Sequence, residues 1–363
     1  MTRLLEFLIA LGLVLALFLI VGFVLPSERR LSESVETNRK MTIVYDTLNN
    51  VRRMKDWNQL LPAKSPSVKY SGGGENHEGV GARVDFDTPE FGKGHWEITG
   101  SERPAQGAGG QVVFSIVDKK LGSEKTTTFK LEPTGKNNRN VKITQIYDVK
   151  YQWWNLVGRY AGMYVSRQVG DAMKTSLGKL TNLLATVPNS DYREEGSKLV
   201  GLKVVDVPAE DLLVVNAGNI DLNNDAIKAS IKSNQEWIKR VMEANGLTAA
   251  GPVRIITTDM GADKYAFDVA QPVSKAGVEP GTLTATISGG APVKVVNTKP
   301  HRAATGNFTG YMSGLNAARD ALRAWATTYG YEVTDRPYET WNSGTDAPFT
   351  SMDSKYDIYW AVK

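Results

Sequence analysis

The chain has no cysteine and only three histidines. Without thiols there is no disulfide, no thiolate nucleophile and no lipid-modified cysteine. His77, His95 and His301 do not stand at metal-ligand spacing, so no metal and no cofactor is expected. Neither a G-x-S-x-G elbow nor a phosphate-binding loop is present, and no catalytic residue is assigned. The net charge of +4 is spread along the chain, with no dense Lys/Arg run and no zinc-finger spacing. A nucleic-acid partner is therefore not expected. His95 and Glu97 share one strand face, and Asp85 and Asp87 share another. Both read as surface pairs, with acid–base work by His95 and Glu97 as the alternative.

Charge is also missing from one long run. From Phe7 to Leu25 the sequence is FLIALGLVLALFLIVGFVL. At about 1.5 Å per residue this run covers roughly the ~30 Å hydrocarbon core of a bilayer. Pro26 and then Ser27-Glu28-Arg29-Arg30 end it. Val24-Leu25-Pro26 is a poor cleavage site, so residues 1–26 read as an uncleaved anchor that meets the membrane through residues 7–25. A cleaved signal and a buried helix are the alternatives. Arg3 precedes the run and Arg29 and Arg30 follow it, so the flanking charges are nearly balanced. The expectation is a single-pass inner-membrane protein of a bacterium, with the bulk of the chain in the periplasm.

Beyond the anchor the pattern alternates between periods. Val44, Leu48 and Val51 share a helical face in a helix expected over 43–54. From Ser67 to Tyr151 the chain reads as strands and turns: Ala82, Val84 and Phe86 alternate, as do Trp96 and Ile98, and Val141, Ile143, Tyr147 and Val149 fall together. A long helix is expected over 162–184, with Val169, Met173, Leu177, Leu180 and Leu184 as its apolar stripe. One helix, a run of antiparallel strands and a long closing helix describe an α+β domain, residues 27–185, whose curved sheet grips that helix. Residues 186–199 are polar and read as a linker.

Residues 200–363 contain a duplication. LKVVDVP at 202–208 recurs as VKVVNTKP at 293–300, and KYAFDVA at 264–270 recurs as KYDIYWAV at 355–362. Lys203 matches Lys294 and Lys264 matches Lys355, a constant offset of 91. Each half holds a helix, one ending at Asn245-Gly246 and the other at Gly330, both glycines suited to a left-handed cap. The domain reads as two strand–helix–strand–strand repeats with a groove on their pseudo-twofold axis.

The residues VGFVLPS, VYDTLNNVRRMKDWNQL and YSGGGENHEGVGARVDF resemble membrane-anchored members of the START-like (SRPBCC) superfamily, the polyketide cyclase/dehydrase and lipid-transport group. The resemblance covers about residues 20–185. The residues GNFTGYMSGLNAARDALRAWATTYGY and RPYETW, within 200–363, resemble the gyrase-inhibitor-like (GyrI-like) effector-binding domain of bacterial multidrug-sensing activators. That second resemblance implies two repeats around a small-molecule groove with aromatic walls and a buried acid, at the position of Glu339, followed by an aromatic at Trp341. Those activators carry a helix-turn-helix upstream, and nothing upstream here looks like one.

The candidate ligand-binding residues follow. In RPYETW, Tyr338 and Thr340 point one way and Glu339 and Trp341 the other. Glu339 is either a solvated strand acid or the polar anchor of the groove. Tyr265, Phe267, Tyr311, Tyr338, Trp341 and Tyr359 are candidate groove residues, and core packing is the alternative. Tyr265 and Tyr356 are repeat equivalents, so only one need touch a ligand. In the first domain Trp57 and Trp96, with Phe114, Phe129 and Tyr147, line a cavity or fill a core. Trp153-Trp154, with Tyr151, Tyr160 and Arg159, read as an interfacial membrane contact, a lid or packing.

The expected function is membrane-anchored binding of small hydrophobic, aromatic or cationic molecules, with the protein partner unknown. An enzyme using Glu339 as general acid or base, of hydrolase or cyclase type, is a second reading. An envelope interaction module without a ligand is a third.

Overall fold

The computed structural model describes residues 2–62, 67–89, 91–105, 107–194 and 198–363. It is an α+β chain that divides into two compact units, Met1–Asn189 and Ser190–Lys363. Of the linker expected over 186–199, residues 195–197 lie outside the described residues.

The first unit opens with helix α1 (Thr2–Val24), long and apolar enough to cross a membrane, its apolar side chains exposed on nearly every side. Strand β1 (Glu28–Thr37) follows, then α2 (Met41–Leu48), a 3-10 turn (Val51–Arg53) and α3 (Met54–Trp57). The helix expected over 43–54 is thus broken. Asn50 is extended, and its side chain accepts a hydrogen bond from the Arg52 amide at 2.9 Å. That is the local competition by which asparagine ends helices. Strands β2 (Lys69–Ser71), β3 (Arg83–Thr88), β4 (Gly92–Glu102), β5 (Gly110–Val117), β6 (Ser123–Thr134) and β7 (Asn140–Lys150) complete one antiparallel sheet in the order β1-β7-β6-β5-β4-β3-β2. Strict alternation of buried and half-buried residues along β7 shows why: one face is core and the other is wet.

The long helix expected over 162–184 is α5 (Val165–Thr186), and a separate short helix, α4 (Leu156–Gly162), precedes it. The stripe Val169, Met173, Leu177, Leu180 and Leu184 is buried. Each such side chain stabilises the fold by about 1.5–3 kcal/mol relative to exposure. Arg39 donates to the terminal carbonyls of Leu184 and Ala185 at 2.9 and 2.7 Å, satisfying groups that a helix end leaves open.

The second unit contains β8 (Leu199–Val207), β9 (Asp211–Asp221), α6 (Asn224–Asn245), β10 (Thr248–Ala249), β11 (Arg254–Met260), β12 (Lys264–Ser274), β13 (Val293–Asn297), β14 (His301–Thr309), α7 (Leu315–Thr328), β15 (Tyr338–Trp341) and β16 (Lys355–Val362). Asn223 caps α6 by accepting from the Ala226 amide at 2.8 Å, and Gly246 ends it in the left-handed conformation at φ +61. The duplication is visible in the sheet order, β13-β9-β12-β11-β15-β16-β14-β8, with β10 beside β12. Equivalent strands occupy mirrored places about the β11–β15 seam. The units β9-α6-β11-β12 and β14-α7-β15-β16 are the two strand–helix–strand–strand repeats. The first landmarks of the repeat, on β8 and β13, are additional leading strands. Each is exchanged: β8 pairs with β14 of the other repeat, and β13 pairs with β9. The exchange ties the halves into one sheet.

Candidate functional sites

In the first unit the sheet and the α5 stripe enclose an aromatic cluster. Trp57 meets Phe129 edge-on at 5.5 Å, Phe129 meets Phe114 at 6.0 Å, and Phe114 meets Trp96 at 6.0 Å. All four rings are buried. Among them lies a residue that the sequence reading passed over. Gln145 is fully buried, sits opposite Phe129 in register and donates from Nε2 to Thr127 Oγ1 at 3.2 Å. Its signal was the alternation itself: Val141, Ile143, Tyr147 and Val149 face inward, so residue 145 must too. Among the described residues, Gln145 Oε1, Trp57 Nε1 and Trp96 Nε1 have no hydrogen-bond partner. Buried indole N–H groups ordinarily find one.

On the same unit, an open cleft of about 480 Å³ is lined by Lys69, Arg83, Asp85, Asp87 and His95, among others. Arg83 pairs with Asp85 at 2.5 Å and reaches Glu97 at 3.8 Å. Burial and then the Arg83 charge hold the His95 imidazole below its ordinary range. The guanidinium thus shares the polar face with His95 and Glu97.

In the second unit the last four residues of RPYETW form β15 at the seam, and the residues expected in one groove divide between two faces. Glu339 and Trp341 face the helices with Tyr265 and Phe267, and all four are buried. Tyr338 and Tyr359 stack at 4.9 Å and 12° on the other face. There Arg254 lies 5.0 Å over the Tyr338 ring and holds Glu210 through two hydrogen bonds of 2.7 and 2.6 Å. Burial pushes the Tyr338 phenol up to about 12, against the pull of Arg254.

Glu339 is fully buried and is not alone. Arg319 donates from Nε to Oε2 at 3.2 Å and from a terminal nitrogen to Oε1 at 2.5 Å. The same nitrogen donates to Tyr265 Oη at 3.1 Å, and Tyr265 Oη is 2.9 Å from Thr257 Oγ1. Burial raises the Glu339 carboxyl above its ordinary range; the Arg319 charge and hydrogen bond, and then the Trp341 indole, draw it back. Among the described residues, Trp341 Nε1 makes no hydrogen bond of good geometry. For Arg319, burial lowers the guanidinium, but Glu339 and Tyr265 outweigh it and the net direction is up. Burial likewise pushes Tyr265 up to about 12. Directly across the seam stands Ile255, so the acid lies on one side only.

Arg319 is the second residue that the sequence reading missed. It falls four residues after Leu315 and three before Leu322, inside the apolar stripe of α7. A guanidinium there must find a buried acid.

The repeat-equivalent tyrosines have diverged. Tyr265 joins the polar cluster, whereas Tyr356 packs edge-on against Trp341 at 5.8 Å and against Phe308 at 5.8 Å. Phe349 covers Trp341 at 5.8 Å. Phe349 also lines an open cleft of about 340 Å³, with Asn224, Tyr311, Met312, Ser313, Pro348 and Thr350. Of the candidate groove residues, Tyr311 is the one that lines this cleft.

No family model matches the chain, and no curated protein does. Among solved structures it is similar to the C-terminal domain of EcmrR, at 17% identity over 45% of this chain and 97% of that one, with a TM-score of 0.34. It is similar to EcmrR in a complex with DNA, at 18% identity over 57% of this chain and 71% of that one, with a TM-score of 0.37. It is also similar to norcoclaurine synthase from Thalictrum flavum, at 15% identity over 46% of this chain and 91% of that one, with a TM-score of 0.32.

Proposed function

We propose that the chain is a membrane-anchored binding protein for small amphipathic or aromatic molecules, with its principal site inside the first unit. The observation that carries this reading is the trio of buried, unpartnered polar atoms, Trp57 Nε1, Trp96 Nε1 and Gln145 Oε1, in one aromatic cluster. Each such group costs about 1–3 kcal/mol when left unpaired. A flat, largely apolar molecule with acceptors for the indoles and a donor for the amide oxygen would satisfy them and stack on the rings. The START-like resemblance of residues 20–185 supports the same reading.

In the second unit the GyrI-like resemblance supports an aromatic ligand near β15. The Arg319–Glu339 pair changes its chemistry. A carboxylate already held by a guanidinium attracts a further cation weakly, so this site favours a neutral aromatic molecule that enters by the Tyr311 cleft and displaces Phe349 from Trp341. The same pair argues against Glu339 as a general acid or base, since both its oxygens are engaged.

The test is native mass spectrometry of the full chain in detergent, with organic extraction of what accompanies it. The expected result is a bound small molecule that Gln145→Leu loses. That variant gives up the hydrogen bond to Thr127 but also removes an unpaired acceptor, so its stability should change by no more than about 1 kcal/mol. A wild-type protein that carries nothing, with Gln145→Leu strongly destabilised, would mean that the trio is core packing.

A further inference from the structure

The segment between β7 and α5 turns large apolar side chains outward. Trp153, Trp154, Val157, Met163 and Tyr164 are each more than half exposed. Large aromatic side chains set side by side in water are unfavourable, and a contiguous patch of them marks an interaction surface. Their place in the fold identifies what they meet.

The segment is bound to the end of α1. Tyr160 stacks on Phe18 at 4.6 Å and 11°, and its hydroxyl donates to the Phe18 carbonyl at 2.8 Å. Trp153 lies on Phe23 at 6.4 Å. Gly22 makes the approach possible: a Cβ there would sit 3.2 Å from Leu156 and 3.3 Å from the Tyr160 ring. Arg159 is buried and donates to the carbonyls of Phe23 and Leu25 at 3.0 and 3.2 Å. These belong to the last turn of α1, whose carbonyls lack partners along the helix. Two residues after Leu25 the chain is held again, where the Tyr151 amide donates to the Ser27 carbonyl at 2.7 Å.

These contacts set the depth. Phe18 precedes Leu25 by seven residues, so at about 1.5 Å each Tyr160 grips α1 roughly 10 Å inside the end of its apolar run. If α1 crosses a bilayer, as the proposed function has it, α4 cannot stand in water. It must lie where headgroups give way to acyl chains. Tryptophan and tyrosine favour that depth, because the ring is apolar and its N–H or O–H is polar.

We propose that residues 153–164 form a membrane-embedded foot, which seats Trp153, Trp154, Val157 and Tyr164 in the leaflet through which α1 leaves the bilayer. The partner is the phospholipid bilayer itself. Arg159 caps the anchor helix and locks the foot to it, so anchor and body enter the membrane as one piece. The foot runs directly into α5, the helix that closes over the aromatic cluster.

The natural absence of cysteine allows a direct test in the full-length protein. Single cysteines replace Val157, Leu13 in mid-anchor and Glu132 on the outer face of β6, each an exposed position. Each carries an environment-sensitive fluorophore, in vesicles of phosphatidylcholine and phosphatidylglycerol with doxyl groups at shallow or deep acyl positions. The expected result is that the Val157 probe is quenched at least about twofold more than the Glu132 probe, and more by shallow than by deep doxyl. The Leu13 probe should be quenched most by deep doxyl. A Val157 probe that behaves like Glu132 while Leu13 is quenched would overturn the foot and leave the anchor standing. A Leu13 probe that also behaves like Glu132 would remove the anchor, and the foot with it.

Discussion

Replacing Arg319 with methionine tests the reading of the second unit most sharply. The change keeps a long, flexible stem on α7 and deletes the charge. Glu339, fully buried, is then left without a cation. Breaking a buried pair from one side costs about 3–5 kcal/mol. The carboxyl escapes part of this by holding its proton. Burial already keeps it above its ordinary range with Arg319 in place, and removing Arg319 deletes the largest opposing influence. Its folded-state pKa therefore rises further, above that of the unfolded chain. Stability is then complete below the unfolded value and falls as pH rises, by about 1.4 kcal/mol per unit, until the folded value is reached. The assay is urea denaturation of the second unit, Ser190–Lys363, followed by circular dichroism at about pH 5 and about pH 8. Arg319→Met should approach the wild type at the lower pH and lose most of its stability at the higher. Adding Glu339→Gln should abolish that pH dependence and recover all but about 1–2 kcal/mol. A loss equal at both pH values, or one below about 1 kcal/mol, would show that the pair is not the buried anchor of the seam.

Other expectations can be checked independently. Residues 190–363 should fold without the rest of the chain, since the exchanged strands β8 and β13 close the sheet within the unit; a fragment recovered only as aggregate would contradict this. Trp341→Ala removes a buried ring packed on Phe349 and Tyr356 and should cost about 3–5 kcal/mol by urea denaturation; a loss under about 1 kcal/mol would mean that the pocket collapses freely. If α1 is an anchor with the body outside the cytoplasm, a C-terminal alkaline phosphatase fusion should be active and a fluorescent-protein fusion dark, and the reverse pattern would invert the topology.

The sites show where one-dimensional pattern stops being informative. Gln145 and Arg319 were each implied by the period of the element that carries them, since alternation along β7 and the stripe of α7 both count them as inward. Reading only the apolar members of a face leaves such residues out. Their partners could not be found this way. Arg319 and Glu339 are 20 positions apart on a helix and a strand, and Tyr265 is 54 positions from Arg319. Nothing in a periodicity says which strand lies beneath a given helical turn. The break after α2 was missed for a local reason: apolar spacing continues through Val51, and the Asn50 side-chain bond that ends the helix leaves no mark on it.

From the sequence alone follow the apolar run of residues 7–25, the α+β class of both units, the stripe of α5 and the duplication at an offset of 91 residues. These are properties of short-range period or of exact recurrence, and both are written along the chain. Tertiary structure alone decided that the leading strands of the repeats are exchanged, that Tyr338 and Tyr359 stack on the face opposite Glu339, and that the acid is held by Arg319 rather than left open. It also placed the exposed Trp153 beside the end of α1. The reason is common to all four: each depends on which distant segments share a surface, and that is set by how the sheet closes and twists, not by the neighbours of a residue in the chain.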